Sequence, residues 1–373
     1  MTRRDQYQEL AEPVRIGLLL DSMPSITDHA ERIYDFVLEQ YKGSGRFERG
    51  FEFVKLYPYG PPAGYIQNSI DGFHELASKG VIAIIGGHHA DDTIALAPVA
   101  DKLEVPFIGT GATAKGMSKW GFSICWSSIP HDVYTMASWL KKNDYRRVVI
   151  TWDYADHAEE NVEHFRNSCK RAGLRILGDE RFPQIMVPNR EEIFARTVTE
   201  LSELKPDALA HFGTGPMSSA WAHHVAKSDW DIPRVMNDAF SGATAPNPET
   251  RARYEGWVGT TMWDDNNPIT AKLYKDYMAR YPGIDGPTPE LVALFRDALT
   301  ALIEGIMLAP ILTRDGVRRG LEMLTCLPSA CGGPRTCIGF NPHAHRGLQG
   351  ADIMVLRRVK NGELLMEGYN EMF

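Results

Sequence analysis

The sequence predicts an α/β protein built from two doubly wound parallel sheets. Short apolar runs alternate with amphipathic segments along most of the chain, which is the pattern of repeated βαβ units. The 373 residues, of which 43% are hydrophobic, also exceed what one hydrophobic core normally serves. We therefore expect two lobes, each with its own sheet and core.

The first series of elements contains four strands and three helices. Strands are predicted at Val14–Leu20, Phe51–Leu56, Val81–Ile85 and Pro106–Ile108, and helices near Asp28–Tyr41, Tyr65–Lys79 and Asp91–Leu103. Asp28 and Asp91 are suitable N-caps, because an aspartate oxygen can accept a hydrogen bond from a free amide of the first turn.

The second series repeats this alternation. Strands are predicted at Arg147–Trp152, Leu174–Phe182, Asp207–Phe212, Arg234–Met236 and Trp257–Thr261, and helices near Asp156–Ala172, Arg190–Leu204 and Pro216–Ser228. Helices near Pro268–Tyr281, Pro289–Leu308 and Asp315–Leu324 follow, and then a strand pair near Thr336–Phe340 and Ala351–Val359 with a turn at Asn361–Gly362.

Two loops in the first series carry the most functional information. Gly86-Gly87-His88-His89-Ala90-Asp91-Asp92-Thr93 follows the third strand, and Gly109-Thr110-Gly111-Ala112-Thr113 follows the fourth. Buried parallel strands deliver backbone amides and small polar residues to a crevice at their carboxyl ends. The sequence therefore predicts a binding crevice for something small and polar.

Composition excludes several classes of partner. The net charge of −8, with both signs interspersed, argues against nucleic acid, which needs concentrated Lys and Arg. No apolar run approaches the roughly 20 residues that span a bilayer. The start, Met1 to Leu10, resembles no export signal. We expect a periplasmic location if a leader was removed or the start is misassigned, and a cytoplasmic location otherwise.

No metal or other cofactor is predicted. His88, His89, Asp91 and Asp92 are adjacent at a turn and would point in different directions. Cys326, Cys331 and Cys337 lack the tight paired spacing of structural zinc sites. A disulfide between two of the three is expected in an exported protein and free thiols in a cytoplasmic one.

Catalytic motifs are also absent from the sequence. We find no Gly-x-Ser-x-Gly elbow, no Gly-x4-Gly-Lys-Ser/Thr loop and no Gly-x-Gly-x-x-Gly after the first strand. Binding followed by hinge closure needs only complementary groups on two lobes. We therefore expect a binding protein rather than an enzyme.

The order of several short motifs resembles the type I periplasmic binding proteins of the leucine/isoleucine/valine-binding group. These motifs are Val81–Gly87, Ala97–Ala100, Val105–Ile108, Gly111–Thr113, Arg147–Ile150, Lys205–Ala208 and Asn341–Gly347. Each is weak alone, but their order and spacing cover nearly the whole chain.

The resemblance implies a Venus-flytrap fold, in which two lobes joined by three crossovers close on a ligand. The crossovers would fall near Cys125–Ser128, Thr260–Trp263 and Pro334–Ile338. The first lobe would then comprise residues 14–126 plus 262–335, and the second residues 127–261 plus 336–373.

In the first lobe, the resemblance implies that Gly111 and Thr113 hold the ligand with backbone and hydroxyl groups. The other loop departs from the family pattern, because His89, Ala90 and Asp91 stand where amino-acid binders carry Ser or Thr, with Ala90 at the position that grips a carboxylate. A less acidic or a cationic ligand is therefore a further hypothesis.

In the second lobe, the implied ligand positions follow the strand ends. Trp152, Tyr154 and Asp156 follow one strand, Thr214 the next, and Asp238 the third, where an acidic residue would pair with a ligand ammonium. Asp156 could equally be only an N-cap, and Asp238 only a turn residue.

Aromatic side chains are frequent at the predicted cleft. Trp152, Tyr154, Phe240 and Trp263 could stack on a ring or enclose a cation, whereas Trp126 is interpreted as core packing. At the entrance, Asp21, Ser22 and Met23 leave the first strand, and Trp263 leaves a crossover.

The resemblance implies the recognition component of an ABC importer, with a transporter permease as partner. Its ligand would be an amino acid, an amide, an aromatic compound or a cationic compound. A cytoplasmic ligand sensor on the same fold is the alternative function, and an enzyme acting on a small molecule is the remaining one.

Overall fold

The first lobe is organised by a five-stranded parallel sheet with the order β2-β1-β3-β4-β5. The computed structural model describes residues 12–21, 24–46, 49–61, 64–127, 129–244, 248–284 and 287–369. The strands of this sheet are β1 (Val14–Leu19), β2 (Phe51–Leu56), β3 (Ala83–Gly86), β4 (Phe107–Gly109) and β5 (Gly121–Ser123). The helices between them are α1 (Pro24–Ser44), α2 (Ile66–Ser78) and α3 (Ala90–Leu103).

The second lobe is organised by a seven-stranded sheet with the order β15-β14-β10-β9-β8-β6-β7. Its strands are β6 (Arg147–Asp153), β7 (Arg175–Phe182), β8 (Ala208–Phe212), β9 (Arg234–Met236), β10 (Trp257–Thr261), β14 (Val355–Lys360) and β15 (Glu363–Tyr369). Its helices are α4 (His131–Lys142), α5 (Asp156–Ala172), α6 (Arg190–Glu203), α7 (Pro216–Lys227), α8 (Ala239–Ala243) and α9 (Pro248–Ala252). β14 and β15 pair antiparallel at one edge, so the second sheet is mixed.

The chain returns to the first lobe after β10. Helices α10 (Pro268–Arg280), α11 (Pro289–Leu308) and α12 (Arg314–Glu322) follow, and then a small sheet of β11 (Leu327–Pro328), β12 (Cys337–Ile338) and β13 (Leu348–Gln349). α11 contributes its apolar face to the first core together with β1 and α1. None of the described helices is long and apolar enough to cross a membrane.

The chain passes between the lobes three times, near residues 124–130, 262–267 and 350–354. The third passage lies later than the predicted Pro334–Ile338. Ile338, Phe340 and Leu348 are buried in the first core, so the segment around β12 and β13 packs with the first lobe. The sequence pattern did not distinguish these short strands from the β14–β15 hairpin that follows them.

The hairpin turn itself is confirmed, because Asn361 and Gly362 have φ values of 55° and 72° between β14 and β15. A two-residue turn of this kind requires positive φ at both positions, which Asn and Gly tolerate. The predicted pairing of Thr336–Phe340 with Ala351–Val359 is wrong, because β14 pairs with β10 and β15 instead.

Two helix starts also differ from prediction. Asp28 lies inside α1, and the N-cap of α3 is His89, whose side chain makes no capping hydrogen bond, with Asp91 in the first turn. No prediction covered β5 or α4. A three-residue strand such as β5 has too little alternation to be recognised.

Candidate functional site

The loop after β3 is held in place by a buried carboxylate. Asp21 follows β1 and accepts hydrogen bonds from the amides of Gly87 (3.1 Å) and His88 (3.3 Å). Burial raises the pKa of Asp21 to about 7, against the lowering effect of these amides. Asp21 thus positions the loop rather than framing an entrance. Ser22 and Met23, predicted beside it, lie outside the described residues.

The two histidines of this loop have different surroundings. His88 is buried, its Nδ1 lies 2.7 Å from the Thr110 hydroxyl, and burial lowers its pKa to about 3. His89 is partly exposed, with Nδ1 3.7 Å from Asp91, and burial lowers its pKa despite the Asp91 charge. Ala90 is buried as the first residue of α3.

Gly111 allows the two first-lobe loops to pack against each other. Its amide donates to the Gly87 carbonyl at 2.7 Å, and a Cβ at this position would lie 2.2 Å from the His89 carbonyl oxygen. Side chains larger than hydrogen are therefore excluded. The Gly111 amide is engaged within the lobe, so its predicted role in ligand binding stays a prediction.

Thr113 contacts the second lobe. Its hydroxyl donates to Glu160 Oε2 at 2.7 Å, and the next amide, Ala114 N–H, donates to Glu160 Oε1 at 2.9 Å. Thr113 and Glu160 are 1% and 2% exposed, so the carboxylate is removed from water at this contact. A hydroxyl and a backbone amide that point at one carboxylate form a compact anion site.

His157 makes a second contact between the lobes, one helical turn before Glu160 on α5. Its Nδ1 lies 2.9 Å from the Ala112 carbonyl and its Nε2 lies 3.3 Å from Asp238 Oδ1. Because a carbonyl can only accept, Nδ1 carries a proton. Burial lowers the pKa of His157, but the Asp238 carboxylate and the Ala112 carbonyl outweigh burial and raise it to about 9. The imidazole is therefore cationic at neutral pH.

Asp238 belongs to a buried acidic group near the passages between the lobes. The Asn237 side chain donates to the Asp238 carboxylate at 3.1 Å, and the backbone amide of Asp238 donates to the Asp132 carboxylate at 3.3 Å. Asp132 also accepts from Ser127 at 2.9 Å. Burial, and then the Asp238 charge, raise the pKa of Asp132 to about 7.

Glu290, at the start of α11, joins the same region. It accepts from Met262 N–H at 2.8 Å and from the Thr261 hydroxyl at 2.9 Å, and it also contacts the Ser241 hydroxyl. Burial raises its pKa to about 7. Because Thr261 and Met262 lie at the second passage, Glu290 ties α11 to this connection.

The aromatic residues predicted to enclose a cation already face arginines of this chain. The Arg181 guanidinium lies 4.6 Å from the Trp152 ring centre and 4.2 Å from that of Tyr154, and Arg357 lies 3.9 Å from that of Trp263. These contacts attract cation and ring without a ligand. Trp126 packs against the first core as predicted, and Phe240 is buried in a core of the second lobe.

The remaining predicted positions lie outside the buried cluster. Asp156 is exposed and is the first residue of α5, whose N-cap is Ala155. Thr214 is exposed, and its amide donates to Asp153 at 3.0 Å. Asp153 also accepts from Gly215 N–H and from Ser218, so it anchors the start of α7.

Glu160, Asp132 and Glu290 were not predicted as functional residues. One signal was available for Glu160, since His157 and Glu160 are three residues apart on the face of α5 that carries its apolar positions. Glu290 meets its partners, and Asp132 meets Asp238, only through contacts distant in sequence.

The cysteines are free thiols. Cys331 is buried, whereas Cys326 is exposed and is hydrogen-bonded to Cys337. Burial and this contact raise the pKa of Cys337 to about 11. Among the described residues, no group of three or more His, Cys, Asp or Glu side chains could hold a metal ion.

Comparison with known proteins places this arrangement in a family. Residues 64–363 match the sequence model of a protein family that is described as periplasmic binding protein. The chain belongs to the periplasmic binding proteins. No curated protein matches the chain.

Solved structures of leucine-binding, substrate-binding and solute-binding proteins share the fold. A leucine-binding protein from Thermotoga maritima is 19% identical, with a TM-score of 0.74 over 96% of this chain and 98% of that chain. A substrate-binding protein from Desulfitobacterium hafniense in complex with Leu is 15% identical, with a TM-score of 0.77 over 95% and 100%. A solute-binding protein from R. palustris in complex with benzoate is 17% identical, with a TM-score of 0.75 over 96% of both chains. The TM-scores show that this chain shares the fold of these proteins.

Proposed function

We propose that this periplasmic binding protein is the recognition component of an ABC importer and closes its lobes on a small organic ligand. The observation that carries the proposal is the meeting of the loop after β4 with α5. There Ala112, Thr113 and Ala114 of the first lobe face His157 and Glu160 of the second. Polar groups buried at the boundary of two lobes are what a ligand would engage on closure.

The ligand contacts that we propose lie around this boundary. Thr113 and Ala114 N–H would hold an acidic group, and Asp238 with the Ala112 carbonyl would hold a basic one. His89, Gly111 and Asp91 would line the first-lobe side, with Trp152, Tyr154, Asp156, Thr214 and Trp263 as the further candidates on the second-lobe side and at the passage. Leucine and benzoate, bound by the relatives, are starting probes for the ligand class.

A thermal-shift screen tests this function. Amino acids, amides, aromatic acids and quaternary amines are added to the protein, and the unfolding temperature is measured. A ligand at 100 times its dissociation constant should stabilise the folded protein by about 2.7 kcal/mol. Small-angle scattering with the same compound should show no expansion of the two-lobed particle.

Two results separate the proposed function from its alternatives. Stimulation of a reconstituted ABC permease by the liganded protein supports the importer, whereas a ligand that binds without affecting any permease encoded beside the gene supports the sensor. A candidate ligand recovered chemically changed would indicate an enzyme. A complete absence of shifts across all four compound classes would contradict small-ligand binding of these kinds.

A further inference from the structure

Two side chains at the lobe boundary, those of Glu160 and His157, together carry the two charged groups of a zwitterion. Glu160 presents a carboxylate to a hydroxyl and an amide at 2.7 and 2.9 Å. His157 donates its Nδ1–H to the Ala112 carbonyl at 2.9 Å, and its Nε2 lies 3.3 Å from the Asp238 carboxylate. The Glu160 carboxylate thus occupies an anion site, and the His157 imidazole occupies a cation site.

The two receptor sites are assembled from several segments. Ala112, Thr113 and Ala114 come from the loop after β4, and Asp238 comes from the loop after β9. The two occupants lie on one turn of α5, because residues three apart share a helix face. Asp238, His157 and Glu160 are 4%, 4% and 2% exposed, so water does not replace these contacts while the lobes are closed.

We propose that His157 and Glu160 are a built-in competitor for the cleft, occupying its cation and anion subsites when the protein is closed without ligand. This inference rests on the proposed function and concerns its specificity. A zwitterionic α-amino acid would need both subsites at once and therefore binds only when both side chains are withdrawn. A ligand with other groups, or with additional contacts, can displace them.

Removal of the competitor should create amino-acid binding. The double variant His157→Ala/Glu160→Ala leaves both subsites empty without altering Thr113 or Asp238. Leucine, titrated by calorimetry, should bind this variant at least about tenfold more tightly than the wild type, because an internal competitor reduces the apparent affinity to the intrinsic affinity multiplied by the fraction of sites that it leaves free. In the same background, a further Thr113→Ala or Asp238→Ala substitution should weaken leucine binding again, since these residues are then ligand contacts.

A matched control uses the same residue types on the same helix. Glu163 is exposed and His164 is partly exposed, whereas Glu160 and His157 are buried. The variant Glu163→Ala/His164→Ala should leave leucine affinity at the wild-type value. Circular dichroism and the unfolding midpoint show whether each variant is folded.

If the double variant does not fold, Glu160→Ala alone empties the anion subsite, and propionate serves as the probe. Propionate should bind Glu160→Ala more tightly than the wild type. Equal leucine affinity of wild type and double variant, or equal propionate affinity of the wild type and Glu160→Ala, would overturn the inference.

The two proposals fail in distinguishable ways. Gain of leucine binding by the variant, with no compound binding the wild type, supports the competitor but not the proposed importer. A wild-type ligand whose affinity is the same in the double variant supports the importer and overturns the competitor.

Discussion

Single buried carboxylates organise much of the backbone outside regular elements. Asp297, on α11, is fully buried and accepts hydrogen bonds from Ser329 Oγ (2.6 Å), Ala330 N–H (2.9 Å) and Cys331 N–H (3.0 Å). It also lies 2.6 Å from the Arg296 guanidinium. Because each of these donors is buried or partly buried, the carboxylate fixes the path of residues 329–331 within the first lobe.

We expect Asp297→Ala to destabilise the protein by about 3 kcal/mol, because it leaves buried donors without a partner. The measurement is the free energy of urea unfolding. Glu75→Ala is the control, since the Glu75 side chain on α2 is 54% exposed beside Lys79, and an exposed pair contributes less than about 1 kcal/mol. Equal losses for both variants would contradict this role of Asp297.

At the scale of elements, α11 illustrates how local sequence and tertiary packing agree. Thr288 accepts a hydrogen bond from Leu291 N–H at 3.1 Å as the N-cap, and Pro289 opens the helix. Proline suits the first helical position because its missing N–H would be unpaired there. Most of the helix is buried in the first core, so this cap positions a central element.

We expect Thr288→Ala to lower the free energy of unfolding by about 1 kcal/mol, which is the usual effect of losing an N-cap side chain. Thr288→Ser keeps the hydroxyl and should retain most of the stability. Thr199→Ala is the control within a helix, where its exposed hydroxyl donates to the Ala195 carbonyl, and alanine there should be neutral or stabilising. A loss at position 199 as large as at 288 would be inconsistent with capping.

At the scale of the whole molecule, the contact between the lobes depends on protonation. His157 faces Asp238 from the loop after β9, Asp132 from α4 and His89 from the first lobe, with Glu160 on its own helix. Its pKa rises from 6.5 to about 9 on folding. The folded protein therefore binds more protons than the unfolded chain between these values, and stability falls as the pH rises through this range.

We expect the contribution of His157 to the free energy of unfolding to be fully present below pH 6.5. This contribution, up to about 3 kcal/mol, should be lost as the pH rises to 9 and above. Folding also raises the pKa values of Asp132 and Glu290 to about 7, so their contribution to stability likewise falls as the pH rises, but over a lower pH range. Urea unfolding at several pH values measures this slope. His157→Gln should flatten it above pH 6.5, whereas His164→Gln should not, and an unchanged slope in His157→Gln would contradict the charge assignment.

Most elements that are long or that carry local sequence signals were predicted, whereas several short elements were not. Long amphipathic helices such as α11 and the hairpin at Asn361–Gly362 were predicted, because periodicity and turn chemistry are local properties. β5, the pairing of β12 and the position of the third passage were not. Those depend on which core buries a few residues such as Ile338 and Phe340.

The candidate site divides in the same way. Ligand-binding roles for Gly111 and Thr113 were predicted from strand-end motifs, and for Asp238 from its place in the order of strands, and these roles stay predictions. Glu160 as the partner of Thr113, and Arg181 between Trp152 and Tyr154, were not recognised, because these partners are brought together only by the approach of separate elements.

The sequence by itself determined the α/β class, the two-lobed organisation and the family, since these follow from the order and spacing of local patterns. Only the tertiary structure decided what occupies the boundary of the lobes. The charge of His157 and the contacts of Glu160 depend on burial against residues 45 or more positions away, and a one-dimensional pattern does not record desolvation or distance.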